Sequence, residues 1–470
     1  MNNQKKVGSE KTSTFIGSII MFLICVVILS GTIIGLGQDV QIPLMLCCGV
    51  LLIYGIYGLK IKFTELTKSM VESVKTAIEV MLIILLIGGV VGTWVASGTV
   101  PIIIVYGLKI FSPKFFLPSI CIICCIMSVV TGSSWTTMGT VGVAFMGVGL
   151  GLGVNPAITA GCIACGAFFG DKISPMSDST NYAAAVAETD LYKHVRSMLY
   201  TTGPAIIVSL IIFTIIGMGH EGGDTSTIKA IIDGLSSAYN LNPALLIPLL
   251  IMIILIVIKV PALPCIGICS LLGIIFGMIF QRHTLAQGLG FLMSGYVGNT
   301  GLQEIDRIIT RGGMTSMYGT IGIMLWSLSM AGLFIRTGMI DAIMEKLRKA
   351  TKSRVGLIMT HLLSGYVLSF VAADPYLAMI IPARAFGTKY DEMRIDRSVT
   401  SRTCEDSGTL VCPMVPWGTS GVYTATTLGV ATTAYLPYYL MGYINPIFVV
   451  ICAISGWGII KAADNKAIVK

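Results

Sequence analysis

The residues with chemistry to offer gather in a few short stretches of an otherwise apolar chain. One stretch runs Gly170–Asp171–Lys172–Ile173–Ser174–Pro175–Met176–Ser177–Asp178–Ser179–Thr180–Asn181, crowding carboxylates, hydroxyls, an ammonium and an amide together. A second is Thr131–Gly132–Ser133–Ser134–Trp135–Thr136–Thr137, where Ser133, Ser134 and Thr136 add hydroxyl oxygens. In the second half, Asp374 stands between Ala373 and Pro375 inside an apolar run. It is followed by Ser401–Arg402–Thr403–Cys404–Glu405–Asp406–Ser407–Gly408–Thr409 and by Pro416–Trp417–Gly418–Thr419–Ser420. Clustered carboxylate, hydroxyl and carbonyl oxygens suit a hard cation such as sodium, for which Asp171, Ser177 and Asp178 are the expected ligands. A carboxylate inside an apolar segment is a functional candidate by default and exchanges protons with cations, which nominates Asp374 as a proton-linked group; Glu405 and Asp406, in the polar stretch that follows, are the other carboxylates expected to be proton-linked. Lys172 either neutralises a carboxylate when the site is empty or anchors a loop.

These stretches need an unusual frame. Of 470 residues, 54% are hydrophobic and 11% charged, with a mean hydropathy of +0.86. A soluble chain would be about a quarter charged, so the composition excludes a water-soluble multidomain protein. Apolar runs at 14–36, 41–58, 76–97, 115–131, 194–218, 241–258, 263–281, 314–335, 354–372 and 435–460 predict an all-α polytopic membrane protein of about 10–12 transmembrane segments. Pro175, Pro375, Pro413 and Pro416 break the polar segments, and such breaks survive in a membrane only where protein or a wet cavity covers the freed backbone. Broken or re-entrant helices are therefore expected. The net charge of +8 collects in short loops, as the positive-inside rule requires, rather than marking a nucleic-acid surface. Lys5, Lys6 and Lys11 place the N-terminus in the cytoplasm, Lys461, Lys466 and Lys470 the C-terminus, and Glu221, Asp224 and Asp233 an outer loop.

A shift of 238 positions carries Gly170–Met176 onto Gly408–Met414 and matches three pairs of apolar runs. Run 76–97 begins at a basic loop and its partner 314–335 ends at one, so the copies are inverted, the mark of a secondary transporter. The expected division is 1–58 (tail and two leading spans), 76–218 (first repeat), 219–313 (connection), 314–456 (second, inverted repeat) and 457–470 (cytoplasmic tail). The spacing Cys162-x-x-Cys165 lies in a small-residue apolar stretch and reads as packing. His361 reads as a packing residue, and His194, His220 and His283 lie at span ends. Motifs for zinc proteolysis, phosphate-binding loops and nucleophile elbows are absent, which argues against an enzyme or an ATP-driven pump.

The stretch GDKISPMSDSTNYAAAVAETDLYKHVRSMLYTT (170–202) closely resembles the signature of the NhaC-type sodium/proton antiporter family, and SRTCEDSGTLVCPMVPWGTSGVY (401–423) resembles its second motif. The resemblance covers nearly the whole chain, with weaker support before residue 70 and in 219–300. It implies sodium/proton exchange, or sodium- and proton-coupled exchange of small organic acids such as malate for lactate. It nominates Asp171, Ser174, Ser177, Asp178, Thr180 and Asn181 in the first motif, and Glu405, Asp406, Ser407, Trp417 and Thr419 in the second. Gly418 stands where members dedicated to cations often carry Asn. The expected function is exchange of sodium for protons across the cytoplasmic membrane by alternating access, with an organic-anion or amino-acid exchanger of the same fold as the alternative; Lys172, Arg384 and Arg402 would serve that alternative. A channel would instead conduct without coupling. No cofactor is expected beyond the transported sodium and protons, and the expected partners are lipid, a small ion or organic acid, and a second copy in a homodimer.

Overall fold

The computed structural model describes residues 12–219, 225–258, 260–302, 305–306 and 309–462. The charges at Lys5, Lys6, Lys11, Glu221, Asp224, Lys466 and Lys470, on which the expected orientation partly rested, lie outside the described residues, as does His220. Helices account for nearly all of the described chain, and isolated bridges pair Tyr296 with Arg311 and Ile395 with Lys461. Among the described residues, eight helices are long and apolar enough to cross a membrane, ten if each sharply bent pair counts as one crossing. The protein is an all-α polytopic membrane protein with broken helices.

Three leading helices, α1 (Phe15–Ser30), α2 (Gln41–Ile53) and α3 (Phe63–Lys75), precede the first repeat. That repeat comprises α4 (Ile78–Ser97), α5 (Thr99–Ile110), α6 (Pro113–Thr131), α7 (Ser134–Thr137), α8 (Val143–Gly151), α9 (Pro156–Ile173), α10 (Asp178–Val186), α11 (Leu191–Met198) and α12 (Thr202–Met218). Then come α13 (Thr225–Ala238), α14 (Ile247–Val257), α15 (Ala262–Phe280) and α16 (Leu285–Ser294). The second repeat comprises α17 (Tyr318–Arg336), α18 (Met339–Ala350), α19 (Arg354–Ala372), α20 (Pro375–Glu392), α21 (Arg397–Ser407), α22 (Thr419–Leu428), α23 (Thr432–Tyr435) and α24 (Leu440–Ser455).

Helix ends fix the register between the halves, and it is not the one the motif match implied. Gly98 and Gly338, 240 positions apart, take left-handed backbone between the first two helices of each repeat. Gly132 (φ 65°) and Ala373 (φ 55°), 241 apart, do the same after α6 and α19. The next residues, Ser133 and Asp374, cap α7 and α20, and Asn155 and Asp396 cap α9 and α21. The shift of 238 holds only between α12 and α24. Pro175 therefore corresponds to Pro416, not Pro413. One shared Gly and one shared Pro–Met pair shifted the motif match by nearly one helical turn, whereas caps and breaks are backbone events that the fold cannot slide.

Contacts between the repeats are exchanged in pairs. Trp135 stacks on Tyr423 with centroids 4.2 Å apart, and the equivalent pair, Tyr376 and Tyr182, meets edge-on at 5.1 Å. Reciprocal contacts of this kind are what a two-fold relation produces. The leading helices are exchanged as well. Helix α1 packs on α18, and α2 and α3 on α17, whereas α13 packs on α5, and α15 and α16 on α4. Two large hydrophobic cores result, one around the first repeat and one around the second, each closed by helices that precede the other repeat in the chain, and a small third cluster joins Ala183 to Met379, Ala383 and Cys404.

Candidate functional site

Between the two cores lies a buried polar layer. Its centre is the last turn of α9, which Asn155 opens by accepting the Ala157 amide, with Pro156 preset at the first position. Helix α9 lies unusually close to α6: a Cβ at Gly166 or Gly170 would stand 2.4 Å from the carbonyl oxygen of Cys121 or Cys125. Small residues four apart permit this approach. The Ser128 hydroxyl then closes the seam by donating to the Ala167 carbonyl at 2.6 Å.

Docked this way, α9 delivers Asp171 to a junction of three helix ends. The hydroxyl of Ser134, first residue of α7, donates to Asp171 Oδ2 at 2.7 Å, and that of Ser177, the cap of α10, donates to Oδ1 at 2.5 Å. Thr180 donates to the Asp171 carbonyl at 3.0 Å. The other nominated residues of the motif build the frame. Ser174 donates to the Val129 carbonyl at 2.7 Å, Asn181 to those of Pro175 and Ser177, and Thr136 donates to Ser133.

Asp178 faces elsewhere. It is exposed, with Oδ1 accepting the Ser179 amide at 2.9 Å and Oδ2 the Tyr376 phenol at 2.5 Å. The expected sodium ligands are thus divided: Asp171 and Ser177 share one oxygen shell with Ser134, and Asp178 joins the first repeat to α20.

Lys172, fully buried, donates to Glu405 Oε2 at 2.8 Å, and Glu405 is itself 0% exposed. Thr409 donates to the same oxygen, and Oε1 has no partner among the described residues. Next to it, Asp406 Oδ1 accepts from Asn445 at 2.9 Å and from Thr201 at 3.3 Å, while Oδ2 has no partner among the described residues. Arg402 spends its guanidinium on the carbonyls of Ser197 (3.3 Å) and Gly458 (3.0 Å), and Arg384 is exposed on α20.

Asp374 is half-buried at the cap of α20, with Oδ1 accepting the Leu377 amide at 2.8 Å. The break before it is pinned from α22 by the Thr419 amide, which donates to the Ala373 carbonyl at 2.9 Å, and by Trp417, which donates to the Phe370 carbonyl at 2.8 Å. Ser407 donates back to Thr403 within α21. The structure therefore groups Asp171, Ser134 and Ser177; pairs Lys172 with Glu405 beside Asp406; and leaves Asp374, Trp417 and Thr419 at the second break.

Sequence reasoning passed over Tyr376, Asn445, Thr201 and Thr409, whose partners are remote or one turn away. It also passed over His194, which is buried against Ser401 at 2.7 Å. His361 has both ring nitrogens engaged, Nδ1 with the Tyr390 hydroxyl at 3.1 Å and Nε2 with Cys404 at 3.4 Å. Cys162 and Cys165 are buried free thiols that reach backbone carbonyls. Among the described residues no His, Cys, Asp and Glu cluster is arranged to hold a metal ion.

Residues 166–457, which include both motifs, Asp171 and the Lys172–Glu405 pair, match the model of the Na+/H+ antiporter family. The chain is also 35% identical over 453 residues to the Na(+)/H(+) antiporter NhaC of Alkalihalophilus pseudofirmus, covering 96% of this chain and 98% of that one. The chain belongs to the NhaC-type Na+/H+ antiporter family. Other members it resembles have different cargoes. The malate-2H(+)/Na(+)-lactate antiporter of Bacillus subtilis is 33% identical over 91% of each chain. The arginine/ornithine antiporter ArcD of Halobacterium salinarum is 33% identical over 95% of this chain and 93% of its own. As a member of this antiporter family the protein is a multi-pass transporter, and family membership leaves its cargo to be read from the site.

Proposed function

We propose that this antiporter exchanges sodium for protons across the cytoplasmic membrane, with both termini in the cytoplasm. The observation that carries the reading is the charge balance of the buried layer. Lys172 and Glu405 neutralise each other, so the hydroxyl-lined carboxylate of Asp171 has no fixed counter-cation. An isolated buried carboxylate is costly, and either a sodium ion or a proton removes the cost. One group that must carry one of the two ions, but not both, is the physical core of exchange. Ser134 and Ser177 supply further oxygens, placed by the starts of α7 and α10.

Asp374 occupies the equivalent break in the second repeat and Asp406 presents a free carboxylate oxygen. Both are carboxylates through which protons pass in this reading.

The alternative cargo is an organic acid or amino acid, as the names of two relatives record for those proteins. The cations such a substrate needs are committed elsewhere: Lys172 to Glu405 and Arg402 to carbonyls, with Arg384 outside the layer. That pattern favours the cation. The test uses proteoliposomes holding a pH-sensitive dye and a preset proton gradient. Sodium alone should collapse the gradient. Collapse only when malate, lactate, arginine or ornithine accompanies the sodium would replace this reading with the organic exchanger.

A further inference from the structure

The two polar breaks are equivalent in backbone but not in what covers them. A shift of 241 positions carries Met176, Asp178 and Asn181 onto Trp417, Thr419 and Val422. The first three are exposed, whereas the last three are 5%, 4% and 3% exposed. A surface carrying Asp178 and Asn181 suits water rather than lipid. The contacts between the repeats differ in the same sense. Tyr423 is buried, stacks on Trp135 and donates to its carbonyl at 2.6 Å, and Trp417 lies against Phe370 with ring centroids 4.4 Å apart. At the other break Tyr182 and Tyr376 are half-buried and meet edge-on, and the Tyr376 phenol donates to Asp178 Oδ2. There α10 meets α20 and α21 through the small cluster of Ala183, Met379, Ala383 and Cys404. Asp178 directly follows Ser177, whose hydroxyl donates to Asp171, so the phenol contact stands one residue from the sodium shell.

Resting on the sodium/proton reading and on inversion of the two halves, we propose that Tyr376 and Asp178 form the gate of the Asp171 site on one face of the membrane, and that sodium opens it. A cation arriving at the exposed carboxylate replaces the phenol as the partner of Asp178. It then passes to Asp171, Ser134 and Ser177, and the phenol returns once the ion has moved on. Inverted repeats put equivalent contacts on opposite faces, so Trp135 and Tyr423 form the second gate, shut in this conformation. In the alternate conformation the two exchange: Tyr376 closes firmly on the first repeat and Trp135 parts from Tyr423. Asp178, divided from the other expected sodium ligands, is the first stop of the ion rather than part of its final shell.

The test uses the full-length protein in vesicles of both orientations and two measurements. In the first, a membrane-impermeant thiol reagent is applied to Met176→Cys and to Val422→Cys. The wild-type chain, whose cysteines are buried apart from the half-buried Cys125, is the blank. Without sodium, Met176→Cys should react from one face only and Val422→Cys should stay at the blank. With sodium on both sides, Val422→Cys should become reactive from the opposite face. Reaction of both variants from the same face, or a Val422→Cys that sodium leaves unreactive, overturns the proposal. The second measurement is the half-saturating sodium concentration for counterflow. Tyr376→Phe should lower it roughly tenfold, because no phenol competes for the carboxylate, and Asp178→Asn should raise it by about as much. Shifts of the same sign, or none, overturn the gate, since a merely structural bond weakens the site whichever partner is removed. The two measurements use different variants, so loss of one protein from the membrane leaves the other to decide. Absence of sodium counterflow in the wild type would instead sink the sodium/proton reading itself.

Discussion

At the scale of single residues, the sequence pointed to the polar stretches but not to their pairings. Asp171, Ser177 and Thr180 were legible together because they sit within one local turn. Ser134 was legible as a hydroxyl in a break, but not as a donor to Asp171. Lys172 and Glu405, 233 positions apart, meet only because two repeats interlock, and no local pattern records that. Two substitutions separate the roles. Ser134→Ala removes a hydrogen bond to a charged group, worth about 1.5–3 kcal/mol of stability, and should also weaken sodium affinity roughly tenfold or more in counterflow. An unchanged half-saturating sodium concentration would exclude Ser134 from the sodium shell. Lys172→Met leaves Glu405 buried and unpaired, which should cost about 3–5 kcal/mol in unfolding measured in detergent. Adding Glu405→Gln should recover most of that loss, and a double variant no better than the single one would show that the pair is not coupled.

At the scale of elements, apolar runs located the long helices well: 76–97 and 115–131 became α4 and α6 almost to the residue. What periodicity could not reveal were the short pieces α7, α10 and α22, because breaks are made by caps and left-handed residues rather than by hydropathy. The same limit explains the slipped register, since Gly132 and Ala373 perform one backbone task with different side chains. Placement of Asp171 depends on the contact of α9 with α6. Gly170→Leu should push the helices apart, at a cost of about 1–3 kcal/mol or more, and abolish sodium flux. Gly203→Leu, where an added Cβ meets nothing within 4 Å, should leave both stability and flux near wild type. Equal damage from the two would mean that the seam does not position the site.

At the scale of the whole molecule, composition alone established a membrane protein. Sequence could not show that the region between the repeats is no mere connection. Helices α13, α15 and α16 stand to the first repeat as α1–α3 stand to the second, and only three-dimensional contacts reveal the exchange. That exchange bears on how the protein is made. Helices α1–α3 leave the ribosome long before α17 and α18, and α4 and α5 before α13, α15 and α16. Each early segment must wait in lipid with its packing face uncovered until its partner is synthesised, so neither half matures as translation proceeds. Cutting the gene between α12 and α13 should therefore yield two fragments that are degraded when expressed singly and that rescue each other when expressed together. Pulse–chase labelling would follow this directly, and a first half that persists alone would show that its core closes without the helices supplied later.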